Sequence, residues 1–207
     1  MIFKHFGKNY KDLLSKIPEE EYTNLKIVDS DHLLASNPVC NSTSSPVKVA
    51  FFGINAYCND ADYSEANQQE NFTEWCQENY NSKLKVVINL WLTGLPQEYI
   101  ENGSVYYSNM SKLVLRESFF KTASDAIYAI DNSPRTKAIF LSAFEEEIES
   151  LYKNGCRVFV FFGNDAHKMA NSSSSIYSSH FINERHFSYY SVEKTKSLVN
   201  SVSKKLI

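Results

Sequence analysis

Two apolar runs far apart in the chain each break at a glycine where the sequence turns polar. Val47 to Gly53 runs into Ile54-Asn55-Ala56-Tyr57, and Arg157 to Gly163 runs into Asn164-Asp165-Ala166-His167. Continuous apolar runs of this length fit neighbouring buried parallel strands, whose carboxyl ends form the crevice in which an α/β sheet does its chemistry. The search for function therefore begins at those two junctions.

With 207 residues and 43% of them hydrophobic, the chain can bury one substantial core, so residues 1–207 read as a single domain. Residues 1–46 read as a helical and loop extension packed on it. The formal net charge of -3 argues against a protein that coats nucleic acid through a large basic face. The tail is different: Arg185, Lys194, Lys196, Lys204 and Lys205 outnumber Glu184 and Glu193 after residue 180. Four cysteines without a CxxC spacing (Cys40, Cys58, Cys76, Cys156) predict reduced thiols and no metal site. No apolar run approaches the length of a membrane span, and the basic start is not followed by a signal-peptide core. An intracellular protein is expected, cytoplasmic or nuclear, monomeric, not secreted and without a membrane partner.

Between the junctions, Lys85 to Trp91 and Ala126 to Ile130 read as further strands, and Ser108 to Ala123 has helical spacing. Ala138 to Lys153 reads as an amphipathic helix with Glu145, Glu146, Glu147 and Glu149 largely off its apolar face, closed by Asn154-Gly155. A helix starts near Asp165, Ser175 to Ser179 reads as a short last strand leading into His180, and Val192 to Leu206 is a closing helix. This order predicts an α/β fold, a three-layer αβα sandwich around a short, mainly parallel sheet of four or five strands.

At this point the chain resembles the uracil-DNA glycosylase superfamily, as a divergent member. Gly53-Ile54-Asn55-Ala56-Tyr57 is similar to the family's first motif, and Phe161 to His167 resembles its late strand, glycine and helix start. Ile176 to Phe181 resembles the last strand running into the family's His-Pro loop, and Glu184-Arg185-His186-Phe187 resembles the stretch after that loop. Proline is absent at both expected places, where Ala56 and Phe181 stand, and Asn55 replaces the Asp of the most efficient branch.

The resemblance implies hydrolysis of the bond between a damaged base and deoxyribose, with DNA as partner and no cofactor. Asn55 would orient the water, since an amide has no basic oxygen of useful pKa. His180 would donate a hydrogen bond to the departing base. Gly53, Ile54 and Tyr57 would wall the pocket, with Tyr106 or Tyr107 stacking on the base. Either Asn132 or Asn89 would read the pyrimidine edge, an amide offering both donor and acceptor. Ser173 and Ser174 would contact phosphates, Phe181 and Ile182 would wedge into the duplex, and Arg185 and His186 would touch the DNA backbone. Each residue has a plainer reading: turn cap, surface histidine, core aromatic or solvated loop. Two other functions stay open, a catalytically reduced homologue serving as a DNA-binding or protein-interaction module, and a nucleotide-metabolising flavodoxin-like protein. The latter lacks a GxGxxG or P-loop pattern.

Overall fold

The computed structural model describes residues 3–28, 33–41, 46–54, 57–58, 71–74, 82–100, 104–116, 118–120, 122–173 and 175–206. Its strands are β1 (Lys4–His5), β2 (Val39–Cys40), β3 (Val49–Gly53), β4 (Tyr57–Cys58), β5 (Val105–Asn109), β6 (Leu115–Arg116), β7 (Val158–Phe162) and β8 (Phe181–Glu184). Its α-helices are α1 (Lys11–Leu14), α2 (Tyr22–Leu25), α3 (Ser82–Gly94), α4 (Gln97–Ile100), α5 (Ala123–Asp131), α6 (Pro134–Lys153), α7 (Asn164–Ser173) and α8 (Val192–Leu206).

The fold is α/β around a mixed six-stranded sheet in the order β1-β2-β5-β3-β7-β8. The two glycine-ended runs are indeed neighbours, β3 and β7 pairing in parallel with Val49 opposite Val158. β5 and β8 extend this parallel block on either side. The sheet is larger than the four or five strands expected, and mixed. Residues 4–5 and 39–40, taken from the sequence as part of a packed extension, add two antiparallel strands beyond β5.

Every residue of β3, β5 and β7 is buried, and the two-residue period of a strand divides their side chains between two cores. Val49, Phe51, Val105, Tyr107, Val160 and Phe162 meet Leu84, Val87, Ile88 and Trp91 of α3 and Val199 of α8. Ala50, Phe52, Tyr106, Phe159 and Phe161 meet Phe144, Ile148 and Leu151 of α6 and Ala166 and Ala170 of α7. Rings carry much of this packing: Phe51 stacks on Phe162 at 5.6 Å, and Phe52 meets Phe144 edge-on at 5.3 Å.

Four expected elements are corrected. Lys85 to Trp91 belongs to helix α3, because Leu84, Val87, Ile88, Trp91 and Leu95 recur at helical spacing and all are buried. Ala126 to Ile130 lies in helix α5, nucleated by a capping box in which Thr122 Oγ1 accepts from Asp125 N and Asp125 Oδ2 from Thr122 N. Ser108 to Ala123 is not a helix: β5 ends at Asn109 and β6 comes next. Ser175 to His180 forms 3-10 turns, and the last strand comes after His180. The amphipathic helix and the closing helix stand as read, as α6 and α8.

The N-terminal segment docks through Glu21, whose carboxylate accepts from Arg135 N, Thr136 N and Thr136 Oγ1 at the start of α6. Helix α8 lies close against α3 at Gly94. A Cβ there would overlap Val199 Cγ1 and lie 3.1 Å from Val199 Cβ. Gly94→Ala is expected to force the two helices apart and cost about 1–3 kcal/mol, read as a lower urea midpoint at unchanged slope.

Candidate functional site

Four parallel strands end together. Gly53 pairs with Asn109 across β3 and β5, Phe52 pairs with Phe161, and Phe162 pairs with Glu184. Asn109, Gly53, Phe162 and Glu184 therefore form one row across the carboxyl edge, on the face covered by α3. Three strand spacings of about 4.8 Å separate the ends of that row.

The Asn109 amide lies directly against Gly53. A Cβ on Gly53 would collide with Asn109 Oδ1 and sit 2.9 Å from Tyr107 Oη, so any side chain here would have to displace the Asn109 amide and the Tyr107 hydroxyl. Asn109 Nδ2 donates to Ser36 Oγ at 3.0 Å, and Tyr107 Oη donates to Asn109 Oδ1 at 3.4 Å. Ser36 Oγ also lies 3.3 Å from Thr73 Oγ1. Among the described residues one hydrogen of the amide and one lone pair of its oxygen are thus used, and one of each is left. Beyond the strand ends, Met110 N and Ser111 N donate to Gly53 O and Ile54 O, both at 2.8 Å, so the first residues of the Gly53 motif are held to the chain that leaves β5.

Behind this edge, on the α6 face, lies a fully buried ion pair. Lys112 Nζ donates to Glu147 Oε2 at 2.6 Å, to Asn109 O at 2.6 Å and to Ser108 Oγ at 3.2 Å. Glu147 Oε1 accepts from Tyr106 Oη at 2.6 Å and from Ser108 Oγ at 3.0 Å. Burial pulls the Lys112 ammonium below its ordinary pKa, and the Glu147 charge only partly offsets it. Burial, then the same carboxylate, pushes the Tyr106 and Tyr10 phenols up. The Tyr10 ring faces Lys112 Nζ at 5.0 Å, and its hydroxyl has no hydrogen-bond partner among the described residues.

At the other end of the row, buried Glu184 accepts from Trp91 Nε1 at 3.3 Å and from Arg185 N at 2.7 Å. His186 comes two residues later, its Nδ1 2.7 Å from Ser188 Oγ and accepting from Ser188 N at 3.3 Å. A ring nitrogen that accepts an N–H carries no proton, so the neutral ring holds its proton on Nε2. Burial lowers the His186 pKa and favours that neutral form. Gly163 approaches the same residue, a Cβ there lying 3.7 Å from His186 Cβ.

His180 is elsewhere. It precedes β8, and its Nδ1 lies 3.1 Å from the carbonyl of Arg157, which precedes β7. The five residues of β7 put roughly 16 Å between that end of the sheet and the Gly53 edge. The expected pairing of residue 180 with the Gly53 motif therefore does not form; the imidazoles near the carboxyl edge include His186 and, in the first turn of α7 on the α6 face, His167, whose ring lies 6.2 Å from that of Phe161. Asn55 and Ser174 lie outside the described residues, as does the Tyr57 side chain, while the Tyr57 backbone pairs with Leu115.

Neither expected base-reading amide lines the edge. Asn89 is on the exposed side of α3, and exposed Asn132 caps α5, its Nδ2 donating to Tyr128 O. Tyr106 and Tyr107 are strand residues sealed in opposite cores, which leaves no ring face for a base. Phe181 and Ile182 pack inward from β8, Phe181 meeting Phe161 at 4.9 Å, so they do not form a wedge. Ser173 Oγ donates to Ala170 O in the last turn of α7, and Arg185 is exposed beside His186.

Asn109, Lys112 and Glu147 escaped the sequence reading. The signals were present: Val105-Tyr106-Tyr107 comes after the Asn102-Gly103 turn as a strand should, and Glu147 falls on the stripe of Phe140, Phe144 and Leu151. Among the described residues no cluster of three or more potential metal ligands occurs, and no helix is long and apolar enough to cross a membrane. No protein-family model, curated protein or solved structure matches the chain.

Lys112→Met would strand a buried carboxylate, and is expected to cost about 3–5 kcal/mol in equilibrium unfolding.

Proposed function

We propose that this chain is a DNA glycosylase of the uracil-excising type, a divergent member of the uracil-DNA glycosylase superfamily built as a three-layer sandwich, with its site at the carboxyl edge of β5, β3, β7 and β8. The observation that carries the reading is the Asn109 amide laid against Gly53 at the start of the Gly53-to-Tyr57 motif, in the same row of strand ends that leads into His186. Those are the three kinds of group the reaction needs: an amide to read the base, a polar loop to hold water and an imidazole donor.

In this reading the spare N–H and lone pair of Asn109 meet the edge of a flipped pyrimidine. Asn109 is only 2% exposed, so a base meets it only after the crevice opens. Asn55 orients a water toward C1′ through its carbonyl oxygen. The C1′–N1 bond breaks with its electron pair leaving on the base, and the developing charge on O2 is met by His186 Nε2–H. The water oxygen bonds to C1′ and releases a proton, the base anion takes one up, and free base and an abasic site result. His186 takes the role that the sequence assigned to His180.

The test is release of free base from uracil-containing single- and double-stranded oligonucleotides in the presence of EDTA. His186→Ala is expected to lower kcat by about 10²–10³-fold, as losing one preorganised donor does, while His180→Ala leaves the rate unchanged. Protonating His186 removes the lone pair that accepts from Ser188 N. Since its folded pKa lies below the ordinary 6.5, activity should persist as pH falls to that point and be lost only further into acid. DNA binding without excision of any tested base would overturn the enzyme and favour the binding-module reading. Loss of rate in His180→Ala but not in His186→Ala would overturn the site.

A further inference from the structure

We propose that Lys112, held by Glu147, is a positioning residue for the Asn109 amide, clamping the end of β5 from the opposite face of the sheet; the inference rests on the reading of Asn109 as the group that meets the base.

Asn109 sends its side chain to the α3 face, where Ser36 and Tyr107 hold the two ends of the amide. Its carbonyl is held from the α6 side by Lys112 Nζ at 2.6 Å. The N–H of the same peptide, Met110 N, donates to Gly53 O of β3, and that of the next, Ser111 N, to Ile54 O just beyond it. The peptide after Asn109 is thus gripped between β3 and the ammonium, and its tilt sets the direction of the Asn109 Cα–Cβ bond. Lys112 is itself fixed, for all three of its N–H bonds are used and its own backbone carbonyl accepts from Ser36 N at 2.8 Å. The segment that anchors Lys112 is therefore the one that supplies the partner of Asn109 Nδ2.

Stability alone gives little reason for full charges here, because apolar groups of similar volume commonly serve as well or better in such a place. An apolar pair cannot supply a donor to the Asn109 carbonyl. The ammonium can, and Glu147 keeps it charged and aimed while also collecting Tyr106 Oη and Ser108 Oγ.

The test is the double variant Lys112→Met/Glu147→Gln, which keeps an acceptor for Tyr106 and Ser108 and withdraws the charges and the ammonium's donations to Asn109 O and Ser108 Oγ. Hydrogen exchange of the Asn109 side-chain NH2, followed by 15N-resolved NMR, is expected to speed up by about tenfold or more while exchange in β3 and β7 is unchanged. On uracil-containing oligonucleotides kcat should fall about 100-fold with little change in KM, the usual consequence of a misplaced reacting group. A folded double variant with wild-type Asn109 exchange and wild-type kcat would reduce the pair to a structural bond and overturn the proposal. Should the double variant not fold, the apolar Lys112→Met/Glu147→Leu/Tyr106→Phe, which removes the donor to Asn109 and leaves no buried charge or phenol behind, carries the test with the same two readouts, and unchanged values there overturn the proposal equally. If the unmodified chain excises no base, the glycosylase reading fails, and the Asn109 exchange still decides whether Lys112 positions that amide.

Discussion

The architecture depends on β3 being confined in every direction. Its backbone is hydrogen-bonded to β5 on one edge and β7 on the other, and both of its faces are covered by helices. A strand so enclosed has no tolerance for a one-residue slip, which would send Phe51 and Phe52 into each other's cores. Its end point is equally constrained, because residue 53 must leave room for the Asn109 amide and Tyr107 Oη. The neighbouring strands then inherit their stopping places from the register, and those stopping places decide which side chains stand at the carboxyl edge.

The polar groups at that edge are buried, so each needs a partner, and several partners come from far away in sequence. Ser36 serves Asn109, Glu147 serves Lys112, and Trp91 serves Glu184. The first forty residues are part of this arrangement. They supply two strands of the sheet, the Ser36 hydroxyl and, through Glu21, acceptors for the first N–H groups of α6. Burial opposes the Glu21 charge, yet the Thr136 hydroxyl and the two backbone donors outweigh it and hold its carboxyl below the usual range.

What could be read from the sequence were the elements whose local signals agree with their burial. β3 and β7 are continuous apolar runs ended by glycine, and α6 and α8 carry long periodic stripes. The misread elements are those where composition and period point different ways. Lys85 to Trp91 is rich in β-branched residues, but its buried positions are three and four apart. Ala126 to Ile130 is short and apolar, and only the Thr122–Asp125 box upstream distinguishes helix from strand. The histidine was misplaced for a related reason. Ser172 and Ser173 turn their hydroxyls back onto carbonyls three residues earlier, and the helical turns after them occupy the positions read as a strand. The last strand is thereby shifted past His180, and His186 moves to the carboxyl edge in its place. Asn109 is hidden because the helical spacing of Ser108 to Ala123 overlaps the last two residues of β5.

Glu147 shows why charge counting missed the buried pair. Glu145, Glu146 and Glu149 are exposed and Glu147 is 1% exposed, although all four belong to one acidic run. The difference is angular: residue 147 lies one turn from Phe144 and Leu151, on the stripe that faces β5 and β3. A rotation of α6 by a single residue would offer Glu146 or Ile148 to Lys112 and Tyr106 instead. The first would place the carboxylate off the line of its donors, and the second would leave a buried ammonium, phenol and hydroxyl without their acceptor. The apolar stripe resists the same rotation, which would turn Ile139, Ala143 and Ser150, or Leu141, Glu145 and Tyr152, toward the sheet in place of Phe140, Phe144 and Leu151. The ion pair adds to this, because a buried charge without its partner is among the most costly errors a fold can make. The stripe and the pair therefore hold α6 in one rotational position against the sheet, and through Lys112 the pair links that position to the end of β5.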